Sequence, residues 1–134
     1  MNRPMVAGLI LKDHKLLLVH NTKHNSLRIE PPGGKVEENE SLKSATIREL
    51  EEELGIKVRV GELFGTYLTN SPEGAFNVSM FICEIDSGKP ELTEPNIISN
   101  FGWYNYQELE NLAQKGNLVP NMVSALPKLK NLLN

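Results

Sequence analysis

Residues 34–56 of this chain read GKVEENESLKSATIRELEEELGI. A glycine loop leads into a helix-forming segment whose second half is strongly acidic. Glu49, Glu52 and Glu53 stand at i, i+3 and i+4, so that their carboxylates lie on one face of a helix. Like charges at this spacing repel by roughly 0.2–0.5 kcal/mol per pair. A hard divalent cation such as Mg²⁺, which prefers oxygen ligands, is the natural partner for such a face.

The helix itself is predicted over Leu42–Leu54, with Ser41 as its N-cap and Gly55 as its terminator. At about 100° per residue, an apolar sector separates from the acidic one. This apolar sector contains Ile47, Leu50 and Leu54. We expect it to pack on a sheet, which leaves the acidic sector facing a cleft or solvent.

The flanking sequence predicts strands mixed with helices, an α/β architecture of two or three layers. Strands are predicted over Val6–Leu11, Leu16–His20, Val58–Thr69, Phe76–Ile85 and Phe101–Tyr104, and helices over Tyr106–Gln114, capped by Asn105, and over much of Pro120–Leu133. Thr22–Ser26 and the turn Asn70–Gly74 read as loops, and Pro31–Gly34 is expected to lack regular structure. Pro127 is expected to kink or break the last helix.

Composition places the chain among ordinary globular proteins and predicts a single domain over residues 1–134. A net charge of −3 argues against general nucleic-acid binding, which needs a basic surface. The single cysteine, Cys83, lies in a predicted strand and reads as core rather than as a nucleophile. Apolar runs are far shorter than a membrane span. We therefore expect a soluble, cytoplasmic protein with no membrane or nucleic-acid partner.

The acidic segment resembles the Nudix box, in which Gly, five residues, Glu and seven residues precede Arg-Glu-aliphatic-any-Glu-Glu-any-Gly-aliphatic. Nine residues fill its fixed positions here: Gly34, Glu40, Arg48, Glu49, Leu50, Glu52, Glu53, Gly55 and Ile56. The resemblance implies an α/β/α sandwich around a mixed β-sheet. It also implies Mg²⁺- or Mn²⁺-dependent hydrolysis of a nucleoside diphosphate linked to another group.

The same resemblance implies a metal site. Glutamates matching Glu49, Glu52 and Glu53 hold the metal in the family, sometimes with a backbone carbonyl matching Gly33. One of the clustered acids, or an acid from a loop, then serves as general base. Crowding of like charges favours the raised pKa that a base needs. Which acid takes this role is left open.

Arg48, Glu40 and Gly34 are implied to organise the site. In the family the matching arginine holds the loop glutamate and the helix acids in place, so Arg48 joins the catalytic set as an orienting residue. Its position four residues before Glu52 also allows a pair along the helix. The plainer interpretation of Arg48 is a surface salt bridge worth under about 1 kcal/mol.

Residues outside the box are less informative. Glu73, Glu91 and Glu94 are candidates for an extra loop carboxylate, although solvated loop acids are commoner. Glu94-Pro95 leads into Asn96–Asn100 without the further acid that relatives often carry, which argues against a carboxylate from this loop. Residues contacting the substrate stay unassigned. The strand aromatics either line a nucleobase pocket or pack in the core, and these are Phe64, Tyr67, Phe76, Trp103 and Tyr104.

Two substrate classes remain open. Pro72, 16 residues beyond Ile56, resembles the ADP-ribose pyrophosphatase subgroup. The short chain and the Pro-Pro-Gly-Gly-Lys run look more like the compact MutT-type hydrolases of nucleoside triphosphates, including oxidised ones, and this class is slightly favoured. A Nudix-fold ligand-binding regulator without catalysis is the alternative of another class, but such proteins tend to lose box acids. A homodimer is possible, since isologous dimers are the commonest assembly.

Overall fold

The computed structural model describes residues 2–134. Seven strands lie within these residues: β1 (Arg3–Lys12), β2 (Lys15–Asn21), β3 (Arg28–Glu30), β4 (Gly33–Lys35), β5 (Lys57–Ser71), β6 (Gly74–Ser87) and β7 (Ile98–Tyr104). Three helices lie there too: α1 (Leu42–Leu54), α2 (Tyr106–Gln114) and α3 (Pro120–Leu133). None of the helices in this described part is both long and apolar enough to cross a bilayer.

The strands form one mixed sheet in the order β3-β2-β1-β6-β5. β1 and β6 run parallel, in a register that pairs Arg3 with Phe76 and Ile10 with Cys83. The other pairings are antiparallel, with β4 against β1 and β7 against β2. The expected mixed sheet is therefore confirmed.

Helices cover both faces of this sheet. Successive residues of β2 point to opposite faces, and all four from Leu16 to Val19 are fully buried. Leu16 and Leu18 pack in a core cluster with α2 and α3, whereas Leu17 and Val19 pack in a second cluster with α1. A strand buried on both faces reads as an unbroken apolar run, and β2 has this pattern. The architecture is the expected α/β/α sandwich.

α1 begins and ends where the sequence predicts. The Ser41 hydroxyl accepts a hydrogen bond from the Ser44 amide at 3.1 Å. Gly55 adopts a left-handed conformation, with φ of 67°, and its amide donates to the Glu51 carbonyl at 2.9 Å. Only a residue without a Cβ adopts this backbone without strain, which explains the glycine.

The prediction for the apolar face of α1 is wrong at Ile47, which is 43% exposed. The buried arc of the helix instead runs from Ala45 to Leu54 and covers roughly 180°. Glu53 lies near the middle of this arc, beside Leu50, rather than in a separate acidic sector. The helix is rotated so that an acid, and not Ile47, faces the sheet.

The expectation that Pro31–Gly34 lacks regular structure is wrong for its glycines. β4 pairs antiparallel with β1, matching Gly34 to Val6 and Gly33 to Ala7. A Cβ at Gly33 would lie 2.0 Å from the Val6 carbonyl oxygen, so the close approach of β4 to β1 requires a residue without a side chain. Glycine at position 33 is therefore required for β4 to pair with β1.

The two C-terminal helices begin as predicted, but α3 is not broken. Asn105 caps α2 in a reciprocal capping box with Glu108. α3 continues through Pro127, which cannot donate to the Val123 carbonyl one turn earlier. Val123 is exposed, so water can satisfy that carbonyl while Met122 and Leu129 hold the opposite face in the core.

Cys83 lies in the core cluster under α1, as the sequence predicts. Burial raises the pKa of its thiol to about 11. A thiol that is protonated at neutral pH and enclosed is a poor nucleophile. This residue therefore fills the core.

Replacing Gly33 by Ala tests the contact between β4 and β1. The added methyl group meets backbone rather than a movable side chain, so we expect a loss of roughly 1–3 kcal/mol in the free energy of unfolding. Denaturant unfolding of the metal-free protein measures it. Gly102→Ala is the control, because a Cβ there meets only the movable Tyr104 ring, at 3.3 Å. Equal stability losses in the two variants would contradict the account.

Candidate active site

A cleft of about 270 Å³ opens where β4, the second half of α1, the end of β5 and the loop before β7 meet. Four of the five carboxylates that line it are close enough for their charges to interact, although they come from three separate parts of the chain. These are Glu30, Glu49, Glu53 and Glu94. Such crowding of like charges costs the fold energy unless a cation is added, so the cleft is the candidate active site.

Glu53 is the most enclosed of these acids, with only 8% of its surface exposed. Its Oε1 accepts a hydrogen bond from the Gly33 amide at 3.0 Å. Burial, followed by the charge of Glu30, raises the pKa of Glu53 well above its usual value, whereas the Gly33 hydrogen bond opposes the rise. The hydrogen bond thus fixes the orientation of the Glu53 carboxylate, whereas burial strongly disfavours its charged form.

The backbone of Gly33 faces this same carboxylate. The Gly8 amide donates to the Pro32 carbonyl at 2.8 Å, which makes Ala7 and Gly33 a non-hydrogen-bonded pair of the antiparallel ladder. The amide and carbonyl of Gly33 therefore point away from β1. The amide is taken by Glu53, and the carbonyl lies on the same side of the strand, where the resemblance implies a metal ligand.

Glu49, one helical turn before Glu53, packs against the neighbouring glycine. A Cβ at Gly34 would lie 2.5 Å from the Glu49 carboxyl carbon. Burial raises the pKa of Glu49, and the charges of Glu52 and Glu94 act in the same direction, whereas Arg48 lowers it. The missing side chain of Gly33 thus allows β4 to approach β1, and that of Gly34 leaves room for the Glu49 carboxylate.

Arg48 connects the loop before α1 to the helix acids. Its guanidinium grips Glu40 in a bidentate pair, at 2.7 and 2.9 Å. Nη1 also donates to Glu49 at 2.9 Å and to Glu52 at 3.1 Å, and Nη2 donates to the Lys35 carbonyl at 3.0 Å. The hydrogen bonds from Arg48 lower the pKa of Glu40 to about 2, so this pair stays ionised. These contacts exceed those of an isolated surface salt bridge.

Glu52 lies apart from the cleft, since its side chain is 52% exposed and held by Arg48. Glu51 is also exposed, 4.0 Å from Lys57, as expected of a surface residue. Within residues 2–134, no three His, Cys, Asp or Glu side chains converge closely enough to form a ready metal cluster.

Glu30 is a cleft acid that the sequence did not single out. β3 pairs with β2 in a register that sets Glu30 opposite Val19, and the Asn21 side chain donates to Glu30 at 2.9 Å. Burial raises the pKa of Glu30, while Asn21 and the charges of Arg28 and His24 oppose the rise. Its position directly before the Pro-Pro-Gly-Gly run is the only signal that could have marked it.

Of the three candidate loop acids, Glu94 lies in the acidic part of the cleft. The loop after β6 is tied to the end of α1, because the Glu91 amide donates to the Leu54 carbonyl at 3.0 Å and the Thr93 hydroxyl donates to the Glu52 carbonyl. These two anchors carry Glu94 to the cleft, where its charge raises the pKa of Glu49 and Glu53. Glu91 itself lies against Gly55, and Glu73 lies among basic side chains at another part of the cleft.

The uncharged lining contains two buried polar residues from distant segments. Asn121, in the first turn of α3, is 4% exposed, and Thr69, near the end of β5, is 3% exposed. The Thr69 hydroxyl is enclosed and has no hydrogen-bond partner among the residues described. Phe76 lies in the cleft wall, whereas Phe64 is part of the core cluster under α2 and α3.

The remaining candidate aromatics belong to the core or its margin. Tyr67 and Tyr104 pack against the cluster under α2 and α3, and Trp103 packs against the cluster under α1. Tyr104 also shares a hydrogen bond of 2.6 Å with His20. None of these three side chains lines the cleft.

The donor set fits a hard divalent cation. Glu49 and Glu53 supply carboxylate oxygens beside the Gly33 carbonyl, with Glu30 and Glu94 near enough to raise the pKa of Glu53. Mg²⁺ and Mn²⁺ prefer oxygen ligands of this kind, and a cation removes the repulsion that raises these pKa values.

A family model described as NUDIX domain matches residues 1–129. The chain belongs to the Nudix family. The resemblance drawn from the box is therefore confirmed for nearly the whole chain. The box, residues 34–56, spans α1, which carries Glu49 and Glu53, and most of β4, which faces them.

Similar proteins agree on the fold but differ in their named activities. NAD-capped RNA hydrolase NudC of Escherichia coli is 31% identical over 123 residues, which are 90% of this chain and 46% of that protein. The chain thus spans about half the length of the curated relatives it matches. A MutT NUDIX hydrolase from Burkholderia pseudomallei has a TM-score of 0.74 at 25% identity, over 81% of this chain and 86% of that one.

A NUDIX hydrolase from Nitrosomonas europaea superposes with a TM-score of 0.80, over 98% of this chain and 90% of that one. At 22% identity it shows the fold alone. Together these neighbours support the three-layer architecture and leave the substrate of this chain open.

Replacing Glu53 by Gln tests the electrostatic cost of the site. The amide oxygen can still accept from Gly33, but the buried charge is gone, so we expect the variant to be more stable than wild type in EDTA at pH 7. The gain should exceed the ~0.5 kcal/mol typical of surface changes. Because the pKa of Glu53 is raised in the fold, the gain should shrink as the pH falls toward the usual carboxyl range.

Glu51→Gln is the matched control, since it removes the same charge from an exposed position of the same helix. Denaturant unfolding at several pH values measures both variants. If Glu53→Gln is no more stable than Glu51→Gln at pH 7, the charge of Glu53 does not destabilise the fold.

Proposed function

We propose that this chain hydrolyses a diphosphate linkage of a nucleoside diphosphate derivative, with Mg²⁺ or Mn²⁺ as cofactor. The observation that carries the proposal is the pair Glu49 and Glu53, held beside the backbone of Gly33 in the cleft that also contains Glu30 and Glu94. Membership of the Nudix family supports it.

The cation would be held by Glu49, Glu52, Glu53 and the Gly33 carbonyl. When bound, a divalent cation neutralises the anionic phosphates and makes a coordinated water a stronger nucleophile. The Gly33 amide fixes the direction of the Glu53 carboxylate, so little reorganisation is needed on binding. Glu49 and Glu52 both accept from Nη1 of Arg48, which holds these two carboxylates close to each other.

A cleft acid accepts the proton of the attacking water. The water oxygen forms a bond to phosphorus, the bridging P–O bond breaks, and the bridging oxygen leaves with the other phosphoryl group. Before a cation binds, burial raises the pKa of Glu30, Glu49 and Glu53, which makes these three acids candidates for this task. Glu94 joins these candidates because its loop is anchored at the cleft.

Nucleoside triphosphates, including oxidised ones, are the leading substrates in this proposal, with ADP-ribose as the second candidate. The similarity to a MutT hydrolase supports the first, and the similarity to NudC adds NAD-linked diphosphates to the compounds worth testing. The net charge of −3 favours small nucleotides over a long nucleic acid.

A substrate panel tests this order directly. Deoxynucleoside and oxidised deoxynucleoside triphosphates, ADP-ribose, NAD⁺ and diadenosine polyphosphates are each incubated with Mg²⁺ or Mn²⁺, and the products are separated and quantified. We expect a nucleoside monophosphate as product, with kcat/KM highest for a triphosphate. Turnover of none of these compounds with either metal would overturn the proposal and favour a ligand-binding regulator.

Glu53→Gln is expected to lower kcat by roughly 10²–10⁴-fold, because an oriented carboxylate of the site is lost. Metal-induced stabilisation should fall with it. Wild type at a hundredfold excess of metal over Kd should gain about 2.7 kcal/mol, and Glu53→Gln should gain clearly less. Kinetics and metal-dependent unfolding measure the two effects, with Glu51→Gln as the control that keeps both. A Glu53→Gln enzyme of normal kcat would rule out this role for Glu53.

Arg48→Lys tests the orienting role of the arginine. Lysine cannot reproduce the bidentate grip on Glu40 together with the contacts to Glu49 and Lys35, so we expect kcat to fall about 10–100-fold. The metal concentration for half-maximal rate should rise, whereas KM for the nucleotide should change little. Arg59→Lys, at an exposed pair with Glu84, is the matched control. A purely structural role would lower stability without moving the metal requirement.

A further inference from the structure

Four basic side chains line the cleft apart from its acids. Lys23 and His24 come from the loop after β2, Arg28 from β3 and Lys35 from β4, and we call them the basic cluster. The side chains of Lys23 and Lys35 are about half exposed, at 47% and 48%, so the cluster lies at the mouth of the cleft. The cleft is thus acidic at one part and basic at another.

A single carboxylate from a different segment occupies the basic cluster. Glu73, in the turn between β5 and β6, directs Oε2 to Lys23 Nζ at 3.5 Å and to His24 Nε2 at 3.3 Å. Its Oε1 contacts Lys35 Nζ. The hydrogen bond from Lys35 is the main cause that lowers the pKa of Glu73 to about 2, so this group is an anion at neutral pH.

The turn is held over the cleft by backbone contacts as well. Arg3 donates to the Glu73 carbonyl, and Arg28 donates to the Asn70 carbonyl at 3.3 Å. Removing the Glu73 carboxylate therefore leaves two anchors of the turn in place. The basic cluster is spaced to hold an anion, because it holds one already.

Lys35 connects the basic cluster to the acids. Its carbonyl accepts from Arg48 at 3.0 Å, while its ammonium group contacts Glu73. Lys35 is two residues from Gly33 along β4, which places their Cα atoms about 7 Å apart. A di- or triphosphate chain can span such a distance, with one phosphate beside the acids and the next beside the cluster.

We propose that the basic cluster binds the phosphate groups of the substrate that are not attacked, and that Glu73 occupies it as a displaceable stand-in. The ligand class is an oligophosphate chain, such as that of a nucleoside triphosphate. The inference deepens the proposed function and rests on it for its biological meaning. Anion binding at the cluster is nevertheless measurable without turnover.

If Glu73 and an oligophosphate compete for the basic cluster, removing the acid and removing a base should change the oligophosphate affinity in opposite directions. Glu73→Gln removes the stand-in and frees the cations, so an oligophosphate should bind more tightly. Lys35→Met removes a cation, so it should bind less tightly. A turn held only by ordinary surface ion pairs predicts no gain from the loss of Glu73.

Inorganic tripolyphosphate is titrated by calorimetry into the full chain, in EDTA at low fixed ionic strength. We expect Glu73→Gln to bind about three- to tenfold more tightly than wild type, the range given by releasing up to three weak ion pairs. Lys35→Met and Lys23→Met should each bind at least about threefold more weakly, since electrostatic attraction to the chain is lost.

Glu84→Gln is the matched control. It makes the same change in net charge and frees Arg59 of an exposed partner far along β6 from the turn. If Glu73→Gln and Glu84→Gln gain equally, the effect is one of net charge and the proposal is wrong. Unchanged affinity in both lysine variants also overturns it, and this arm serves even where Glu73→Gln fails to fold.

The two proposals fail in different ways. Because the titration contains no divalent metal, absent hydrolysis leaves its outcome untouched. Conversely, the protein could be an active hydrolase whose affinity for tripolyphosphate is unchanged by substitution of Glu73, Lys23 and Lys35. The proposed function would then stand, and the proposed phosphate site would be wrong.

Discussion

The hydrogen bond between the Gly33 amide and the Glu53 carboxylate joins the sheet to the acidic helix, and the site is arranged around it. It requires α1 to lie directly over β4, with an acid in the middle of the buried arc of the helix. The first two residues of β4 must lack side chains for this, because a Cβ at Gly33 would strike the Val6 carbonyl and one at Gly34 would strike Glu49. Packing alone therefore requires glycine at both positions, whatever the function of the site.

This arrangement sets function against stability. The guanidinium of Arg48 pairs with Glu40, Glu49 and Glu52, but Glu53 faces the charges of other acids and is buried as well. The helix stays in place because its apolar residues are inserted in the core cluster on that face of the sheet. The apolar packing thus provides the free energy that keeps the unfavourably buried Glu53 carboxylate at a position where a cation could bind it.

Sequence was sufficient wherever the relevant contacts are local. The caps of α1, the spacing of its acids and the pairing of Arg48 with Glu52 all lie within one helix, where position along the chain fixes position in space. The rotation of the helix was not readable, since it depends on the sheet beneath. Ile47 therefore looked like core, and Glu53 looked like part of an acidic sector separate from the buried one.

The part of the cleft outside the box comes from contacts between distant segments. Glu30 is placed by the register of β3 on β2, Asn121 by the docking of α3, and Glu94 by a loop tied to the end of α1. Each is a common residue type in an unremarkable local sequence. No spacing along the chain relates them to the box, so only tertiary structure could bring them together.

Strand length then decides what lies at the mouth of the cleft. β5 and β6 are much longer than β4, so the turn that joins them extends past the sheet to Lys23 and Lys35. β4 links the acids to the turn, because Lys35 contacts Arg48 by its carbonyl and Glu73 by its side chain. Changes in this turn can therefore alter which anion the cleft accepts while the acidic helix stays unchanged. In general, placing binding residues on loops and turns around a rigid scaffold allows one fold to serve different ligands.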